Sequence, residues 1–179
     1  MFRTILIFGL VAGVLVAGPL FTVVLISDAS DGGHSELVGY LIMLVALSLI
    51  FVGVKRLRDR EFGGVIGFGR ALMAGLGISV VASVVYVIGW EITLNLTHYA
   101  FADSYAAAMI RAAQARGASA ADLARVTAEM AAFKTQYANP LYRLPMTFIE
   151  VFPVGLLISL VSAGLLRNRR FLPAQVLAT

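Results

Sequence analysis

The chain has 179 residues, 60% of them hydrophobic and 13% charged, with a net charge of +4. Soluble domains are about 45–50% apolar and about 25% charged, so this excess belongs in lipid. Cysteine is absent, which excludes disulfides, iron–sulfur clusters and thiol catalysis.

Four apolar runs dominate the chain. The first spans Thr4 to Ile26. Arg3 and the small residues Val16-Ala17-Gly18 give it a signal-like start, but its apolar core outruns the roughly 7–15 residues of a signal h-region, so a retained helix is expected. The second runs from Leu37 to Val54. The third, Phe68 to Leu96, exceeds the roughly 20 residues that cross a 30 Å hydrocarbon core, so it should tilt or project. The fourth covers Leu144 to Leu166, with Pro145 suited to a first turn and Pro153 to a kink. Period-two alternation is missing, and only helices or closed barrels satisfy their backbone in lipid, so the spans are helices. The expected fold is all-α: one polytopic membrane domain over residues 1–179, with four transmembrane helices.

Between the third and fourth spans, residues 98–143 read as an extracytoplasmic helical hairpin. Gly117 suits a C-cap, Ser119 with Asp122 resembles a capping box, and Asn139-Pro140 closes the second helix. Phe101, Tyr105 and Met109 form one stripe; Leu123, Val126, Met130, Phe133 and Tyr137 form a heptad-like second. Either the stripes pack on each other, or one docks on a partner protein or the membrane surface. Membrane helices approach through small residues. Gly9, Gly13 and Ala17; Ala71, Gly75, Ser79 and Ser83; and Gly155, Ser159 and Ala163 form such ladders. Together they favour a close-packed bundle, with one ladder open to a second copy.

Nine of the fourteen Lys and Arg fall on one side of this topology: Arg3, Lys55, Arg56, Arg58, Arg60, Arg70, Arg167, Arg169 and Arg170. The positive-inside rule then places both termini in the cytoplasm. Lys55, Arg56, Arg58, Arg60, Arg167, Arg169 and Arg170 are thus topology determinants, with anionic lipid headgroups as a second role. Their placement argues for the bilayer as partner and against nucleic acid. The glycines of Phe62 to Gly69 lack the Gly-Lys-Ser/Thr and the strand of a phosphate loop, so they read as a connecting turn.

Carboxylates within hydrocarbon are costly, which marks Glu91 and Glu150 as functional candidates. Both lie toward the extracytoplasmic ends of their helices. At about 100° per residue, Asn95 and His98 share a face with Glu91. Trp90 and Tyr99 suit an interfacial belt, and His34 and Glu36 come from the loop on the same side. Three readings of this polar cluster are open. It is interfacial and structural, with one acid paired to Arg143; or Glu91 and Glu150 relay protons or ions; or the histidines and acids hold a metal, although no His-Glu-x-x-His is present.

The middle of the chain carries a resemblance. Leu49-Ile50-Phe51-Val52-Gly53-Val54-Lys55-Arg56-Leu57-Arg58-Asp59, then Gly63 through Leu72, then Tyr86-Val87-Ile88-Gly89-Trp90-Glu91, resembles a family of small bacterial four-span inner-membrane proteins known as a domain of unknown function. The similarity covers nearly the whole chain, and the junction from Phe51 to Asp59 is its most specific part. It implies a bacterial inner-membrane location and a four-helix arrangement. It brings no activity, cofactor or catalytic residue. The expected function is therefore that of a non-enzymatic structural, accessory or assembly component without a cofactor. Its partners would be lipid, a second copy or another membrane protein. A small proton, ion or solute transporter and a metal-dependent membrane enzyme are the alternatives.

Overall fold

The computed structural model describes residues 1–26 and 36–174. Seven helices follow one another: α1 (Phe2–Ile26), α2 (Glu36–Leu47), α3 (Leu49–Glu61), α4 (Phe68–Leu96), α5 (Phe101–Ala115), α6 (Ala120–Tyr137) and α7 (Pro140–Leu166). Four segments are long and apolar enough to cross a bilayer: the α1 run Phe2–Pro19, Val38–Glu61 across α2 and α3, α4, and α7. No strand occurs among the described residues. The protein is an all-α, multi-pass membrane protein.

Burial follows the inverted logic of a lipid solvent. Ile7, Leu10, Val14, Val84, Ile88, Ile92, Ile149, Leu157 and Val161 lie on the outside, while Ser79, Ser83, Ser159 and Ser162 are buried. In water that arrangement would leave a large apolar surface uncovered; in hydrocarbon it costs nothing.

The small-residue ladders set the helix pairing. On α1, Gly9 faces Val81 and Gly13 faces Val85; on α4, Gly77 faces Ile5 and Gly89 faces Ala17 and Phe21. Partner numbers rise together, so α1 and α4 run parallel. Across the other face of α4, Gly75 abuts Ser159 and Gly155 abuts Ser79, with the two serine hydroxyls 3.1 Å apart. Here partner numbers run in opposite senses, so α7 is antiparallel to α4. All three ladders are thus engaged inside one chain. The close approach replaces a missing hydrophobic drive with backbone-level packing.

The second span is interrupted at Ser48, whose hydroxyl donates to the Val45 carbonyl at 2.6 Å. Its helix continues past the expected end at Val54 as far as Glu61. A tight turn follows, with Gly63 and Gly64 at φ +58° and +84°, a region glycine enters without a Cβ penalty. The fourth span begins one turn earlier than its apolar pattern suggests. Asn139 caps it by accepting from the Leu141 amide (3.0 Å), and Pro140 takes the first helical position, which leaves Pro145 and Pro153 inside.

The hairpin forms as its residues predict. Ser119 caps α6, accepting from the Asp122 amide at 3.2 Å, and Gly117 turns the chain at φ +72°. The two stripes pack on each other: Tyr105 against Phe133 with ring centroids at 5.4 Å, and Phe101 against Tyr137 at 5.6 Å. Lys134 and Asp103 add an ion pair between the two helices.

The ends of the bundle differ. The hairpin sits at one end. At the other end lie the start of α1, the end of α3 and the segment after α7. Glu61 accepts there from Thr4 Oγ1 at 2.9 Å and from the Met1 amino group. Arg58 at this end is 0% exposed. Its guanidinium donates to Asp59 (2.7 Å) and to the carbonyls of Phe171 (2.9 Å) and Leu172. This residue therefore pins the segment after α7 instead of facing headgroups. Its buried stripe of Ile50, Val54 and Arg58, at spacing four, was the available signal.

Candidate functional site

The most concentrated polar chemistry sits where α4, the hairpin and α7 meet. Arg143, one turn into α7, is only 3% exposed. It holds Glu91 of α4 in a fork: Nε donates to Oε1 at 2.7 Å and Nη2 to Oε2 at 2.8 Å. Its remaining edge turns back to α6. There Nη1 donates to the carbonyls of Tyr137 (2.9 Å) and Ala138 (3.5 Å). These are orphan carbonyls at a helix C-terminus, where positive charge is favourable. The rings of Tyr99 and Tyr137 lie 5.4 and 5.8 Å from the guanidinium carbon, completing a cation–π cage. One side chain thus ties together a span, the hairpin's second helix and the turn after α4.

That turn is unusual. His98 and Tyr99 both adopt positive φ, 49° and 59°, and the Tyr99 amide returns to the Leu94 carbonyl at 2.7 Å. Two successive left-handed residues with side chains are uncommon and persist only where surroundings hold them. The Arg143 cage around Tyr99 is such a surrounding.

Beneath the arginine runs a line of aromatic contacts. Phe21 of α1 meets Tyr86 and Trp90 at 5.1 and 5.4 Å; Trp90 meets Phe101 edge-on at 4.9 Å; Phe101 meets Tyr137. Trp90 Nε1 donates to Tyr137 Oη at 2.6 Å. Burial pushes the Tyr137 hydroxyl above the ordinary tyrosine range, so it stays protonated. Trp90, expected in an interfacial belt, is instead 8% exposed beneath the docked hairpin. Its ring covers apolar area and its N–H finds a partner, the combination a buried indole requires.

The antiparallel register decides what the carboxylates can meet. Glu91 lies opposite Arg143, whereas Glu150 lies deeper, facing Tyr86. The two acids are therefore held by different partners and do not share one. Glu150 is exposed beside Tyr86, with no ion-pair partner among the described residues. Asn95 and His98 are exposed beyond the pair. Glu36 opens α2, and His34 lies outside the described residues. The described residues hold no group of three His, Cys, Asp or Glu placed to bind a metal ion. The sequence alone offers Arg143 as a partner for one acid. That Arg143 also caps α6 has no local sequence signal, because it depends on how the Asn139-Pro140 junction folds back.

The family model described as "Protein of unknown function (DUF4199)" matches residues 6–168. The chain belongs to this family. The match extends from the first span to the end of α7, so Glu91, Arg143, Glu150 and the whole hairpin fall within it. No curated protein and no solved structure matches the chain.

Proposed function

We propose that this protein is a non-enzymatic component of the bacterial inner membrane. Its four spans hold the α5–α6 hairpin in a fixed pose on the extracytoplasmic face, with both termini cytoplasmic. The hairpin is then an assembly or accessory surface for another membrane protein or a second copy. The observation that carries this reading is the Arg143 clamp. A buried guanidinium with a bidentate partner and two helix-end carbonyls turns an otherwise hinged insertion into a rigid extension of the bundle. The engagement of all three small-residue ladders within one chain leaves partner contacts to the hairpin and the outer faces. The basic residues gathered at the opposite end support the sidedness.

The test uses the full chain in its own membrane. A photo-crosslinking residue at Ala124 or Ala128, both exposed on α6, is expected to yield one defined adduct. That adduct should weaken when Glu91→Gln loosens the clamp. A strictly monomeric particle in lipid discs drawn directly from the membrane, with no adduct from either position, sinks the reading. A reporter fused at Gly117 that is active only in the cytosol sinks the sidedness.

A second reading rests on Glu150. It is a carboxylate within a span that meets a tyrosine and no cation among the described residues, a setting from which a proton can be taken up and released. Under this reading Glu150→Gln abolishes proton or ion flux in proteoliposomes while leaving the fold intact. Flux unchanged in both Glu150→Gln and Glu91→Gln eliminates it.

A further inference from the structure

We propose that the cleft between the first turns of α1 and the last turns of α3 binds the phosphate group of an anionic phospholipid. The cleft has a volume of about 440 Å³, and three arginines line it: Arg3, Arg56 and Arg60. All three are exposed, and none forms an ion pair with a carboxylate among the described residues. The acids nearby are already engaged. Glu61 is held by Thr4 Oγ1 at 2.9 Å and by the Met1 amino group, and Asp59 by Lys55 and Arg58. Arg56 and Arg60 sit four apart on one helix face, where like charges repel. An anion between them and Arg3 removes that repulsion. Guanidinium forks match phosphate oxygens bidentately, and phosphate with several arginines is a pairing of high geometric specificity.

The surroundings choose the source of the phosphate. Arg3 stands just before the first apolar run, and Arg56 and Arg60 stand just after the second, which is headgroup depth. Thr4 and the already engaged Glu61 complete the polar end of the lining, and Ile7 and Phe8 form its apolar wall. Ile7 leads onto the exposed apolar strip of Leu10, Val11 and Val14 on the outer face of α1. A phosphate seated on the arginines would have its acyl chains run along that strip. Inorganic phosphate has no use for it. The inference concerns the opposite end of the bundle from the hairpin, and it stands or falls separately from the proposed function.

Two charge-matched variants of the full-length protein test the proposal. One carries Arg3→Gln, Arg56→Gln and Arg60→Gln; the control carries Arg167→Gln, Arg169→Gln and Arg170→Gln. Lipid adducts are measured by native mass spectrometry in detergent with dioleoylphosphatidylglycerol, dioleoylphosphatidylcholine or inorganic phosphate. The wild-type protein is expected to take up one phosphatidylglycerol at least about tenfold more tightly than phosphatidylcholine. The cleft variant should lose that preference about tenfold and the control less than about threefold. Both variants lose three positive charges, so diffuse attraction falls equally in the two and the difference between them reports the cleft. Equal losses in both variants mean diffuse attraction only and overturn the proposal. So does phosphatidylcholine binding as tightly as phosphatidylglycerol, or displacement of the lipid by equimolar inorganic phosphate. Should the triple variant fail to fold, Arg60→Gln alone is compared with Arg169→Gln: a roughly threefold loss in the first only supports the site, and equal affinities overturn it.

Discussion

In Glu91→Gln protein the hairpin is expected to come loose while the four spans stay assembled. Glutamine keeps the shape of the side chain but strands the Arg143 charge, which is almost fully buried. Removing one partner of a buried ion pair costs about 3–5 kcal/mol, because the remaining charge keeps its desolvation penalty without its compensation. The Glu91 side chain is 28% exposed, so water reaches the site once the fork opens and the lower end, about 3 kcal/mol, is expected. Trp90 is the only tryptophan and lies directly beneath the clamp, donating to Tyr137. Its emission should therefore shift to the red. Trypsin should cut faster at Lys134 in the loosened α6. An unchanged emission maximum together with an unchanged trypsin half-life would show that the clamp holds nothing.

The partner substitution separates charge from capping. Arg143→Met removes the buried charge but also leaves the Tyr137 and Ala138 carbonyls at the end of α6 without their donor. The double variant Glu91→Gln, Arg143→Met should therefore cost less than the two single costs added together. The difference measures the pair itself.

The parts of this molecule that were legible in the sequence are those that depend on local pattern. Thr4 to Ile26 and Phe68 to Leu96 match α1 and α4 to within two residues, because lipid demands an uninterrupted apolar helix and leaves little room for ambiguity. The hairpin was legible from Gly117, Ser119 and the aromatic stripes. What could not be read is whatever depends on register between distant helices. Glu91 and Arg143 lie 52 residues apart, and only the docking of Gly75 and Gly155 against Ser159 and Ser79 brings them face to face. A shift of one turn would put a different residue of α4 opposite the arginine. Arg58 was misplaced for the same reason. As a basic residue beside Arg56 and Arg60 it looks like a headgroup contact, yet the path of Phe171 and Leu172 buries it. The basic cluster thus divides in two: Arg58 is structural, and its neighbours on the other face are free for an anion.

Gly13→Leu should disrupt the bundle as a whole, in contrast to the local effect at Glu91. A Cβ at this position would lie 2.6 Å from Val85 Cβ and 2.9 Å from the Ala82 carbonyl oxygen. Rotating the valine moves its methyl groups but not its Cβ, and the carbonyl belongs to the backbone of α4, so neither can yield without moving the helix. Overpacking of this kind costs typically about 1–3 kcal/mol, and a helix pair that meets through glycine has no slack to absorb a branched side chain. A loss near 3 kcal/mol is expected, read as earlier unfolding in a denaturing-detergent titration. Because α1 also carries Phe21 to Tyr86 and Trp90, the same change should redden the Trp90 emission. The matched control is Gly164→Leu in α7, where an added Cβ meets nothing within 4 Å. It should be neutral or, through leucine's better helix propensity, more stable by up to about 1 kcal/mol. Equal destabilisation by the two substitutions would mean that the helices do not meet at Gly13. The parallel docking of α1 on α4 would then be wrong.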